Sequence, residues 1–167
     1  MCGITGILGN GDKSIVSSMA SCLSHRGPDG FGNFESDLGR GSICLGQSRL
    51  AILDLNGSWQ PIKSEHGCVL IQNGEIYNHQ KIRESIPNYP WQTSGDGESI
   101  LSLHRLHAYN NKKSLSTPEG QKVGELFRTK DADKKGNNAE KHKSWVSKLD
   151  GVWGFAIWDP SKRELIL

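Results

Sequence analysis

A cysteine stands directly behind the first methionine, at the head of a glycine-punctuated apolar run, MCGITGILG. Removal of Met1 would leave Cys2 carrying a nucleophilic thiol and a basic α-amine, a nucleophile and its base on one residue. An α-amine titrates at about 7.7–8.0 and so accepts a proton near neutral pH, where a lysine would need a large downward shift. A second group follows the apolar run CVLI: Asn73-Gly74-Glu75 in QNGEIYN. Asn-Gly is a strong turn pair. The Asn73 carboxamide and the Gly74 N–H could equally donate to a developing alkoxide, with no Cβ in the way.

Two charged residues sit at the ends of predicted elements, where a rigid scaffold often holds binding groups. Arg49 in QSRLAILD lies just past a strand and, taken alone, reads as a surface arginine. Asp96 in SGDGES precedes a helix, where an N-cap explains it; its other reading is a partner for a substrate ammonium. SGDGES does not match GxxxxGK[ST] and lacks the closing lysine, so nucleotide binding is not expected here. His104 and His107 are three apart on a helix with no carboxylate or cysteine placed beside them in sequence, and are read as surface histidines. His25 in HRGPD is expected to fix a loop. Neither a metal nor a cofactor is expected in this chain.

The elements that must position these groups follow from the apolar pattern. MCGITGILG reads as a strand, and Ile15, Val16, Met19, Ala20 and Leu23 recur at helical spacing after a candidate N-cap, Asp12. SHRGPDGFG reads as a loop; SICLGQSRLAILDL and GCVLIQNGEIYN contain strands; HQKIRESI and GESILSLHRLHAY are helical. GVWGFAIWD is apolar on both alternating faces, which requires cover on both sides and implies a layered architecture.

The chain has 167 residues, one domain's length. Its four cysteines form no CxxC pair, which excludes a zinc ribbon or a redox motif and suits a reducing compartment. With no spanning apolar run and no signal-like start, a cytoplasmic protein that binds no membrane is expected. Net charge is only +2, but residues 112–148 hold ten basic against five acidic residues. This stretch, with few apolar side chains, reads as a solvated insertion at about 110–148, with a possible short helix at Val123–Phe127. A nucleic-acid arm would need interleaved aromatics, and only Phe127 and Trp145 are present. No nucleic-acid partner is expected.

Taken in order, MCGITGILG, HRGPDG, RLAILDL, Gln60-Pro61, NGEIYNH, GDGES and LDGVWGFAIWD resemble the class II glutamine amidotransferase domains, in the form of the glutaminase domain of glutamine-hydrolysing asparagine synthetases. The resemblance covers about residues 2–108 and 149–167. It implies an α+β fold, the four-layer αββα sandwich of the N-terminal-nucleophile hydrolases, for a domain at 2–167 that stops short of the family's further strands. It also implies that Met1 is removed and that Cys2 attacks the glutamine side-chain amide. Asn73 and Gly74 would hold the oxyanion, Arg49 the α-carboxylate, and Asp96 and Glu75 the α-ammonium, with backbone around Leu50, Ile52 and Leu53 lining the pocket. The expected partners are glutamine and a synthetase domain, in a longer chain or a separate polypeptide, to which ATP and Mg would belong; a homodimer is a further expectation. The rival is a non-catalytic glutamine-binding module or an inactive truncated fragment, against which stands the filling of every catalytic position that can be matched.

Overall fold

The computed structural model describes residues 1–55, 57–112 and 145–167. The predicted insertion and its short helix lie almost wholly outside these.

The chain opens with β1 (Gly3–Gly9) and α1 (Lys13–Cys22). Asp12 starts the helix as expected: its Oδ1 accepts from the backbone N–H groups of Ser14 at 2.8 Å and Ile15 at 3.0 Å, satisfying two of the donors a helix start leaves unpaired. Next come β2 (Gly30–Asp37) and β3 (Ser42–Arg49), which complete an antiparallel sheet ordered β1-β3-β2. β3 is its centre and is buried along its whole length. α1 covers the outer face through Val16 and Ala20.

The second sheet, ordered β4-β5-β6-β7, is built from β4 (Ile62–Lys63), β5 (Val69–Ile76), β6 (Gly151–Asp159) and β7 (Glu164–Ile166), again antiparallel. Its strands split their apolar residues by alternation. Leu70 and Ile76 of β5 and Phe155 and Ile157 of β6 join Ile82 of α2 (His79–Ser85) and Ile100, Leu101 and Leu103 of α3 (Glu98–Lys112) in one core. Val69, Ile71, Ala156 and Trp158 face the other way and meet Ile43 and Leu45 of β3 in a second core. The order is therefore helix, sheet, sheet, helices: the αββα sandwich. Among the described residues no helix is long and apolar enough to cross a membrane.

Three expectations need correction. The loop SHRGPDGFG ends early, because β2 begins at Gly30; glycines and acidic residues gave this edge strand the composition of a loop. The double cover of β6 holds only from Phe155 onward, since Val152 is 65% exposed at one end of the sandwich. The insertion does not reach 148: Trp145 is 2% exposed and sits in the helical-layer core beside Phe155, with Val146 and Leu149 packed against it.

Leu45 fills the space between the sheets and is 1% exposed. Leu45→Ala is expected to lower stability by about 2–5 kcal/mol, read as a lower urea midpoint with an unchanged slope.

Candidate active site

The register places four chain segments at one end of the sandwich. Gly3 at the start of β1 pairs with Ser48 at the end of β3, and Ile76 at the end of β5 pairs with Gly151 at the start of β6. Between them lies a half-open pocket of about 160 Å³. Of the residues singled out in the sequence, Cys2, Arg49, Leu50, Ile52, Leu53, Gly74, Glu75 and Asp96 all line it, and Met1 does too.

The thiol of Cys2 is half-buried and held by the backbone of Leu50, whose N–H donates to Sγ at 3.4 Å while Sγ faces the Leu50 carbonyl at 3.8 Å. The Cys2 carbonyl accepts from Arg26 Nε at 3.0 Å. Asp29 fixes the other side of the thiol's cradle: its N–H donates to the Arg49 carbonyl at 2.9 Å, and its Oδ2 accepts from Ala51 N–H at 2.8 Å. Between these residues Gly27 runs against the Ser48–Arg49 peptide, where any Cβ would overlap the Ser48 carbonyl. The HRGPD segment is thus a staple between the start of β1 and the end of β3. Arg26 and Asp29 do the stapling; His25, expected to fix this loop, is exposed. Charged residues flanking Gly-Pro were the available signal.

Arg49 is 5% exposed, neither a surface arginine nor an unencumbered clamp. Its Nη2 donates to the carbonyls of Asp54 and Gly57, both at 2.8 Å, and its Nη1 to that of Leu55 at 3.2 Å. The guanidinium also lies 4.5 Å from the Trp59 ring centroid. Three of its five N–H donors are spent on the 54–57 loop, and two remain. Asp54 locks the same loop. Its carboxylate accepts from Gly57 N–H at 3.0 Å and Ser58 Oγ at 2.8 Å, and reaches across to Ser94 N–H at 3.0 Å. The Ser58 hydroxyl, then the Ser94 and Gly57 amides, hold the Asp54 carboxyl below its ordinary value.

On the opposite wall Gly74 has φ +139°, and a Cβ there would overlap the Val152 carbonyl of β6, so only glycine fits. Asn73 does not line the pocket itself. It stands next to Gly74 on the strand phase of Val69 and Ile71, its Oδ1 buried without a hydrogen-bond partner and its amide nitrogen making no hydrogen bond among the described residues. Glu75 is exposed at the mouth. The side chain of Asp96 does not cap α3: its Oδ2 accepts from Ile76 N–H at 2.8 Å and Gln72 Nε2 at 3.1 Å, tying SGDGES to β5. Gln47 and Gln72 are buried pocket residues that the sequence reading missed, joined by a 3.2 Å bond from Gln47 Nε2 to the Gln72 carbonyl. Their strand positions carried no chemical signal.

The helical histidines also need correction. His107 is half-buried, and His104 is 1% exposed, with the Asp159 carboxylate near its Nε2 and Cys68 close by. The carboxylate and cysteine that looked absent in sequence arrive from β6 and from the residue before β5.

Because the folded Asp54 carboxyl titrates below the ordinary 3.8, the clasp contributes fully above that value and is lost as pH falls through the lowered one. Hydrogen exchange at the Ser94 amide is expected to show protection that fades only in that acid range, and Asp54→Ala to lack it at every pH.

A family model described as a glutamine amidotransferase domain matches residues 1–117. The chain is 35% identical over 116 residues to asparagine synthetase [glutamine-hydrolyzing] 1 of Lotus japonicus, a match covering 66% of this chain and 19% of that protein. It is 40% identical over 107 residues to the Homo sapiens asparagine synthetase [glutamine-hydrolyzing], covering 62% and 19%. The chain thus spans about a fifth of the length of these curated relatives. Among solved structures, the glutamine phosphoribosylpyrophosphate amidotransferase of B. subtilis superposes with a TM-score of 0.61 at 20% identity, over 92% of this chain and 34% of that one, which shows that the two share a fold. The chain belongs to the glutamine amidotransferase domain family and is homologous to the glutaminase part of asparagine synthetases.

Proposed function

We infer that this domain hydrolyses the side-chain amide of glutamine by nucleophilic attack from Cys2, once Met1 has been removed. The observation that carries the reading is the single pocket shared by the Cys2 thiol, Arg49, Gly74 and Asp96, with Met1 in its wall. Loss of Met1 would clear that part of the wall and turn the Cys2 nitrogen from an amide into an amine.

The α-amine then takes the thiol proton, directly or through one water, and the thiolate attacks the amide carbon of glutamine. Negative charge develops on the carbonyl oxygen, and the Asn73 amide and the Gly74 N–H are the donors assigned to it. An Asn73 amide with no hydrogen bond to give up among the described residues suits this role, because it need break no existing bond to donate as charge appears. Collapse of the adduct breaks the C–N bond, ammonia leaves with the proton, and water hydrolyses the γ-glutamyl thioester to glutamate and regenerates Cys2.

Glutamine is selected by charge at its α-carbon. Arg49 presents its two remaining donors to the α-carboxylate from a site already fixed by three carbonyls and an aromatic face, which limits the entropy lost on binding. Asp96 keeps Oδ1 for the α-ammonium while Oδ2 is anchored to β5, and Glu75 adds negative charge at the mouth.

The ammonia would serve asparagine formation from aspartate in a synthetase domain, within a longer chain or on a separate polypeptide, and the ATP and Mg of that reaction would bind there. The curated relatives, of which this chain matches about a fifth, support this reading.

Intact mass together with glutamate release from glutamine tests the proposal. Processed protein is expected to lack Met1 and to release glutamate, and Cys2→Ala to release none; equal release by Cys2→Ala would overturn the assignment. Asn73→Ala is expected to lower kcat by about 10²–10³ with KM little changed. Arg49→Lys, which loses the planar fork, is expected to act mainly by raising KM.

A further inference from the structure

At the far end of β5 and β6 from the Cys2 pocket, three side chains from separate elements converge. Cys68 immediately precedes β5, His104 lies on the second turn of α3, and Asp159 closes β6. Their ligand atoms all lie within 4.8 Å of one another, with the His104 and Asp159 side chains 2% and 4% exposed.

The geometry points to a divalent transition-metal site, suited to Zn²⁺, formed by Cys68 Sγ, His104 Nε2 and Asp159 Oδ2. The separation of His104 Nε2 from Asp159 Oδ2, 3.7 Å, is too long for a hydrogen bond. It is close to the roughly 3.4 Å that separates nitrogen and oxygen ligands on one tetrahedral ion. Asp159 is oriented for the role: Oδ1 accepts from Ser161 N–H at 3.0 Å and Ser161 Oγ at 2.7 Å, which turns Oδ2 toward His104. One sulfur, one imidazole and one carboxylate form a borderline donor set that suits Zn²⁺ or Co²⁺ rather than Mg²⁺ or Ca²⁺. The sulfur lies within 4.8 Å of the other two ligand atoms, and the fourth tetrahedral position is left to water.

Charge around the cluster sets the terms of binding. Burial and the Asp159 carboxylate push the Cys68 thiol up to about 11, against the smaller opposing effects of Ser64, Lys162 and Arg105. Metal uptake forms the S–metal bond with release of the thiol proton to solvent. The Lys162 ammonium, 3.5 Å from Asp159 Oδ2, competes for the same oxygen and must move aside; its side chain is 28% exposed and can do so. The ion would clip α3 to β5 and β6, away from the thiol assigned to glutamine.

Co²⁺ titration of the full chain, followed by the thiolate-to-cobalt charge-transfer band and the tetrahedral d–d bands, tests the site. One equivalent per chain is expected, displaced by Zn²⁺ with the bands lost. Cys68→Ser should abolish the charge-transfer band, Cys2→Ala and Cys22→Ser should retain it, and Lys162→Met should bind Co²⁺ several-fold tighter. A thermal midpoint that rises with Zn²⁺ in wild type but not in a folded Cys68→Ser variant gives a second readout. The absence of a thiolate band in wild type, its survival in Cys68→Ser, its loss in Cys2→Ala, or no tightening in Lys162→Met would overturn the proposal. None of these readouts depends on glutaminase activity, so they fail or succeed separately from the function proposed above.

Discussion

Everything in the site depends on the antiparallel pairing of β1 with β3. The ladder runs from Gly3↔Ser48 to Gly9↔Ser42, and its first rung sets Cys2 beside Leu50. Because side chains alternate along a strand, a one-residue slip would turn Ile43 and Leu45 away from the inter-sheet core and carry the thiol off its backbone partner. Burial therefore fixes the register, and the register fixes the position of the Cys2 thiol. The Arg26, Gly27 and Asp29 contacts reinforce the same junction with two hydrogen-bonding side chains and one close backbone approach.

The second half of the pocket is organised by carboxylates and carbonyls rather than by apolar packing. Arg49 holds the 54–57 loop through three carbonyls, Asp54 joins that loop to Ser94, and Asp96 joins the following glycine-rich turn to β5. Glu98 extends the scheme, accepting from the Gln92 and Thr93 amides while 2% exposed. A loop this polar cannot bury a core of its own. Charge-assisted hydrogen bonds to its backbone do that work instead. Two of these residues thus have structural duties as well as proposed substrate contacts, so a single substitution at Arg49 or Asp96 disturbs both.

Much of this was legible in the chain. The five longer elements with clear periodicity, the cap at Asp12 and the two-faced strand around Phe155 follow from hydrophobic spacing alone. β2 was hidden, because a half-exposed edge strand with glycines and acidic residues has the composition of a loop. Trp145 was masked by the basic stretch before it, although its burial beside His104 and Phe155 makes it part of the core. The pocket residues Gln47 and Gln72 carried no signal at all, since an amide within a strand looks the same in a core as on a surface.

The sequence by itself determined which residues could do chemistry and in what order they occur: Cys2 directly behind the first methionine, Asn73 before a glycine, Arg49 and Asp96 at the ends of elements. These are properties of residue type and near-neighbour spacing, which local physics fixes. Only the tertiary structure decided which of them meet. Cys2 and Leu50, 48 positions apart in the chain, touch, and Asp96 reaches Ile76 rather than its own helix. Cys68, His104 and Asp159 converge from three elements whose separate patterns gave no hint of it. Such meetings are set by strand register and layer packing, long-range quantities that no window of sequence contains.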